Sequence, residues 1–146
     1  MNILCVCTGN ICRSPMMEYL LAEELPKHGI EANVCGAGTA TMDDVPPTAH
    51  ALAVMKEIGV DMSDHLSRQV TQAIADEADV CVVMTPRHGV EMALRYGVNP
   101  EKIVMPEGGV ADPYGCDIKV YRDCRDQLLE LLPTVVEKIK EQCASR

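Results

Sequence analysis

A thiol and a guanidinium separated by five residues, Cys7 and Arg13 in the run CTGNICRS, are the pair in this chain best suited to act together on a phosphate group. The thiolate is the nucleophilic form of cysteine, and a turn whose amide N–H groups converge on the sulfur favours that form. Gly9 and Asn10 tolerate the positive φ values that an inward-wrapping turn requires. Arg13 offers a planar fork matched to two phosphate oxygens, and Ser14 can donate to the sulfur. The expected anion cradle is therefore Thr8, Gly9, Asn10, Ile11, Cys12, Arg13 and Ser14, with Cys7 as the nucleophile at its mouth. Positive potential from Arg13, the amides and a helix dipole removes the need for a metal or other cofactor.

A second group lies about a hundred residues on, in DPYG. Phosphoryl transfer to a thiolate expels an oxygen, and one whose conjugate acid has a pKa of about 10, as in tyrosine, leaves slowly unless an acid protonates it. Asp112 can supply that proton and then act as base for the water that hydrolyses a phosphocysteine. Pro113 fixes the backbone beside it. Tyr114 can pack on an aromatic substrate ring, and in a chain with four tyrosines, no Phe and no Trp it is the clear candidate for that contact.

Spacing alone does not define the first group, because the same C-x5-R interval recurs from Cys81 to Arg87 and from Cys116 to Arg122. The former interposes VVMTP, with β-branched residues and a proline where inward amides are needed. The latter interposes DIKVY, which begins with an acid that repels phosphate. Both are expected to be structural.

The elements that must position these groups are legible in the pattern. Ile3 to Val6 is a short, continuous apolar run of the kind found in a strand buried on both faces. Ser14 before Pro15 signals a helix start, and Met17, Leu20, Leu21 and Leu25 recur at helical spacing. The turn between them thus sits at the carboxyl end of a strand and the amino end of a helix, where anions bind. Further strands are expected over 30–36, 80–84 and 103–105, and helices over 48–58, 71–77, 86–96 and from about Ile118 onward. In the last helix Tyr121, Cys124, Leu128, Leu132, Val135 and Ile139 form an apolar stripe, which Pro133 should kink or interrupt. Alternating strands and helices predict a small doubly wound α/β fold. Its four-stranded parallel sheet has helices on both faces and the phosphate-binding loop after the first strand, with ligands bound beyond the strands' carboxyl ends.

At 146 residues the chain is long enough for one domain, 1–146, with its own core. Neither a signal peptide nor an apolar run of eighteen residues is read, so a cytoplasmic protein with no membrane partner is expected. In that compartment the eight cysteines are reduced thiols. A net charge of −9 argues against nucleic acid as a partner and makes any phosphate site a local positive feature in a repulsive field.

VCTGNICRSP followed by DPYG resembles the low-molecular-weight protein tyrosine phosphatase family, and GAGT, DHLSRQVT and VYRDCRDQL sit in the family's order, so the resemblance spans essentially the whole chain. It implies a metal-independent phosphatase acting on phosphorylated protein, with catalytic residues Cys7, Arg13 and Asp112. It also implies that His65 supports the cradle by bonding toward Asn10, alongside Ser14. Cys12 would be the redox partner of Cys7 in a protective disulfide. By the same resemblance the loop 40–47 walls the cleft together with Ile11 and Tyr114. Family members often carry an aromatic residue there, whereas this chain has Met42. His28, His50 and His88 are read as surface residues, and the expected state is a monomer. The nearest rival is the protein-arginine phosphatase branch, whose loop resembles CTGNTCRS. Here the bulky apolar Ile11 favours the tyrosine branch, although PPTAHALAVM and the compact Asp112 loop lie closer to the bacterial branch. A thiol-linked arsenate reductase would need two further cysteines close together after the third strand, where Cys81 stands alone. A non-catalytic phosphopeptide-binding module would be expected to lack Cys7 or Asp112.

Overall fold

Four apolar runs become strands because each is flanked by turn residues and bounded by an amphipathic helix. In the computed structural model, which describes residues 1–145, β1 (Asn2–Cys7) pairs in parallel with β2 (Asn33–Gly38) on one side and β3 (Val80–Val83) on the other. A two-residue β4 (Ile103–Val104) completes the sheet, in the order β2-β1-β3-β4. Helices α1 (Arg13–Glu24), α2 (Ala49–Lys56), α3 (Gln72–Glu77), α4 (Pro86–Tyr96) and α5 (Ile118–Ala144) connect and cover the strands.

Successive residues of β1 point to opposite faces, as a strand requires. Ile3, Cys5 and Cys7 enter a core shared with α1, α2 and α5. Leu4 and Val6 enter a second core formed with α3 and α4. Helices therefore lie on both faces of a parallel sheet, as expected, and both the turn after β1 and the segment after β4 open at its carboxyl edge.

Several local expectations are corrected. The second strand runs over Asn33–Gly38 rather than 30–36, because the register pairs Asn2 with Asn33 and carries β2 along β1 as far as Cys7 opposite Gly38. Ser14 does not cap α1. The helix already starts at Arg13, and the Ser14 hydroxyl is turned to the Cys7 sulfur instead. Thr48, Thr71, Thr85 and Asp117 do cap their helices, each side chain accepting from an amide three residues on. α5 runs through Pro133 without a break. One backbone hydrogen bond is lost there, but Leu132, Val135 and Val136 are buried on either side of the proline and hold both halves on the core.

Candidate active site

Chemistry at the carboxyl edge begins with how the turn after β1 disposes of its carbonyls. Those of Cys7 and Thr8 accept from the amides of Thr39 and Ala40, that of Ile11 from Thr48, and that of Asn10 from the His65 ring. With its carbonyls bonded outward, the loop turns amide N–H groups inward, and the Asn10 amide donates to Cys7 Sγ at 3.2 Å. The close packing of β2 makes this possible. A Cβ on Gly38 would stand 2.5 Å from the Thr8 carbonyl, and one on Gly36 would stand 2.7 Å from the Asn10 side chain and 2.6 Å from that of Glu18.

Asn10 is fully buried and adopts φ 55°, a left-handed conformation that asparagine tolerates. Its Oδ1 accepts from the Arg68 amide at 3.2 Å, which fixes the amide orientation so that Nδ2 donates to Ser14 Oγ at 2.8 Å. The Ser14 oxygen is thereby used as acceptor, leaving its proton to donate to Cys7 Sγ at 3.0 Å. The sulfur thus receives two hydrogen bonds in a setting where the residue is 1% exposed.

His65 donates from Nε2 to the Asn10 carbonyl at 2.8 Å, which places its other nitrogen, Nδ1, 3.9 Å from Glu18. Burial pulls the His65 pKa down, with the bond to Asn10 opposing. Burial also pushes Glu18 up to about 7 against the pull of Arg68.

Arg13 is buried, donates from Nη1 to the Val110 carbonyl at 2.9 Å, and holds Nη2 3.6 Å from Asp112 Oδ2. Its Nε is buried and has no hydrogen-bond partner among the described residues. Asp112 lies at the rim with its side chain half exposed, and its Oδ1 accepts from the Tyr114 amide at 3.1 Å. Together Cys7, Thr8, Gly9, Ile11, Cys12, Arg13, Ala40, Thr41, Asp112 and Tyr114 line one cleft of about 260 Å³. Ile11 folds over Gly9, its Cγ1 3.3 Å from where a Gly9 Cβ would be, so the cleft has apolar walls at Ile11 and Tyr114.

Met42 is not part of that lining. Its carbonyl accepts from Ser67 Oγ, and its side chain is left 75% exposed, so Ala40 and Thr41 form this wall instead. Cys12 sits beneath the loop with Sγ 3.3 Å from the Tyr121 hydroxyl and 3.6 Å from Thr48 Oγ1, and burial raises its pKa. The other two C-x5-R copies build no cradle. Cys81 is a fully buried residue of β3 whose pKa burial pushes up to about 12, while Arg122 pairs with Glu57 at 2.7 Å.

His88, read from sequence as a surface residue, is 3% exposed and bonds Thr8 Oγ1 through Nε2 at 2.9 Å and Thr85 Oγ1 through Nδ1 at 3.0 Å. The sequence signal for it is TPRH directly after the third strand. A threonine cap followed by proline places a histidine on the first turn of a helix at the same edge as Cys7.

A family model for the low molecular weight phosphotyrosine protein phosphatase matches residues 2–145. The chain is 32% identical over 148 residues to a protein-arginine-phosphatase of Bacillus subtilis, covering 97% of this chain and 98% of that relative. It is 30% identical over 143 residues to a probable low molecular weight protein-tyrosine-phosphatase, EpsP, of Ralstonia nicotianae, covering 95% and 96%. The solved YwlE arginine phosphatase, a C7S mutant with a phosphorylated active-site serine, matches with a TM-score of 0.88 at 32% identity, covering 96% of each chain.

Proposed function

Since the chain belongs to the low molecular weight phosphotyrosine protein phosphatase family, we propose that it hydrolyses phosphotyrosine in proteins through a phosphocysteine intermediate. The observation that carries this reading is the buried Arg13 Nε with no hydrogen-bond partner among the described residues, in one cleft with a sulfur that receives two hydrogen bonds. A buried guanidinium N–H is costly to leave unmatched, and a phosphate oxygen in the cleft is the acceptor it lacks.

The thiolate of Cys7 attacks phosphorus in line with the departing oxygen. As the P–O bond breaks, Asp112 gives that oxygen a proton, while Arg13 and the loop amides hold the equatorial oxygens on which charge spreads. Asp112 then takes a proton from water, the water oxygen bonds phosphorus, and the S–P bond breaks. The sulfur leaves as the thiolate that Ser14 and the Asn10 amide stabilise. No oxidation state changes. Cys12 is the reversible disulfide partner of Cys7 in this reading, and residues 1–146 act as one monomeric cytoplasmic domain without a cofactor.

Walls at Ile11 and Tyr114 support tyrosine as the departing group, because they offer an aromatic ring apolar contact on both sides. A phosphoarginine guanidinium requires acceptors, and among the described residues the carboxylate that lines the cleft, Asp112, already faces Arg13. Likeness to the Bacillus subtilis protein-arginine-phosphatase favours the alternative. Phosphate release from matched phosphotyrosine and phosphoarginine peptides, without added metal, separates the two. Faster phosphotyrosine turnover, lost on the order of 10⁴-fold or more in Cys7→Ser, is the expected result. A phosphoarginine preference would keep the chemistry and overturn the specificity, and turnover surviving Cys7→Ser would overturn the chemistry.

A further inference from the structure

Thr8 follows the nucleophile directly and lines the cleft, yet its side chain is not free: Oγ1 lies 2.9 Å from Nε2 of His88, a histidine on the first turn of α4. The proton on that bond can be placed from what lies behind it. The Thr85 hydroxyl oxygen already accepts from the His88 backbone amide at 3.3 Å, as the cap of α4, and sits 3.0 Å from His88 Nδ1. When its own proton donates to Nδ1, every polar group of the chain Thr85–His88 is used, and the ring proton resides on Nε2. Nε2–H then donates to Thr8 Oγ1, occupying the Thr8 oxygen as acceptor and leaving the Thr8 hydroxyl proton without an obligation to the protein. Were Nε2 the acceptor instead, that proton would be consumed by His88.

We propose that Thr85, His88 and Thr8 form a relay that commits the Thr8 hydroxyl proton to a phosphate oxygen in the cleft. His88 is a positioning residue, and Thr8 contributes a side-chain donor in addition to its loop amide. The inference rests on the phosphate-cleft reading above and refines it. Two surroundings hold His88 as a neutral imidazole able to play this part: its burial and the positive charges of Arg13 and Arg87, which together pull its pKa down to about 4 against the opposite effect of Asp112. A doubly protonated ring would lose the bond from the Thr85 hydroxyl that sets the tautomer.

The test measures inorganic phosphate binding by calorimetry and hydrolysis of an aryl phosphate ester in the wild type, Thr8→Val, Thr8→Ser, His88→Gln and the double variant Thr8→Val/His88→Gln. Thr8 is exposed, so Thr8→Val is expected to fold. It should weaken phosphate binding and lower kcat/KM by about 10- to 100-fold, as for a hydrogen bond to a charged group. Thr8→Ser should restore most of the loss. His88→Gln should weaken phosphate binding in the wild-type background and add nothing in the Thr8→Val background, since the hydroxyl it orients is already gone. Phosphate binding within twofold of wild type in Thr8→Val would overturn the proposal. So would an undiminished His88→Gln loss in the Thr8→Val background, which is the mark of a purely structural histidine. Wild-type protein that binds phosphate but turns nothing over would sink the phosphatase reading while the binding constants still decide the relay. Failure to bind phosphate at all would remove both.

Discussion

The loop after β1 and the loop after β4 face each other across one cleft, but they are built in opposite ways. In the first, Cys7, Asn10, Cys12, Arg13 and Ser14 are all buried, and the segment is tied to residues 39, 40, 48, 65, 68, 88 and 110. In the second, Asp112 and Tyr114 are exposed, and their hydrogen bonds are local: Tyr114 N–H to Asp112 Oδ1 and Cys116 N–H to the Pro113 carbonyl. The Asp112–Arg13 approach joins this turn to the other loop, beside the Arg13 bond to the Val110 carbonyl. Under the proposed function the difference separates binding from proton transfer. A group that must hold charge developing on phosphorus is best immobilised before substrate arrives. A group that gives and then takes a proton from solvent must stay in contact with water.

If that division is right, removing the proposed acid should damage catalysis alone. Asp112→Asn is expected to lower kcat by on the order of 10²- to 10⁴-fold while leaving the melting temperature near that of the wild type. A melting temperature that falls with kcat would show that the second loop also carries the fold. Asn10→Ala, on the other side of the cleft, should damage both. It leaves the Arg68 amide without its acceptor, deprives Ser14 of a donor and puts alanine at φ 55°, so urea denaturation should register a loss of roughly 2–4 kcal/mol. Activity should fall about 10- to 100-fold with it. An Asn10→Ala protein of wild-type stability would contradict the picture of a loop locked into the core.

The smallest net effect concerns two opposed titrating groups behind the rigid loop. Glu18 is raised from about 4.5 to about 7, so between those values the folded state holds more protons than the unfolded state, and its contribution to stability falls as pH rises. His88 is lowered from 6.5 to about 4, so between those values the unfolded state holds more protons, and its contribution climbs as pH rises. Each amounts to about 3 kcal/mol over its window, and the two largely offset, with the lowered pKa of His65 adding on the His88 side. Urea midpoints measured from pH 4 to 7 should therefore rise with pH in Glu18→Gln and fall with pH in His88→Gln. Parallel profiles in the two variants would rule this pairing out.

What can be read from the sequence divides along the same line. Cys7, Gly9, Asn10, Arg13 and Ser14 are legible because a strand, a glycine, an αL-tolerant asparagine and a helix start occur within a dozen residues. Asp112 is legible by its chemistry. TPRH places His88 on the first turn of its helix, but its burial depends on a partner, Thr8, that lies 80 residues away. Loop position puts Met42 in the cleft, whereas the hydrogen bond from Ser67 to its carbonyl, across 25 residues, decides where its side chain goes. Pro133 carries a local meaning that long-range packing on both sides overrides. The start of β2 depends on register with β1, which an apolar run of its own does not specify.

The ties of the first loop also set an order of assembly. Residues 7–14 precede all their supports along the chain: Gly36 and Gly38 as a seat, His65 and Arg68 around Asn10, His88 on Thr8, and Val110 to fix the Arg13 guanidinium. A nascent chain ending before the third strand already contains every residue of the CTGNICRS run and still lacks the His88 and Val110 anchors on Thr8 and Arg13. The Cys7 thiol is thus set in place by the folding of segments made long after it, and the proposed phosphate cradle is complete only once the chain has passed Val110.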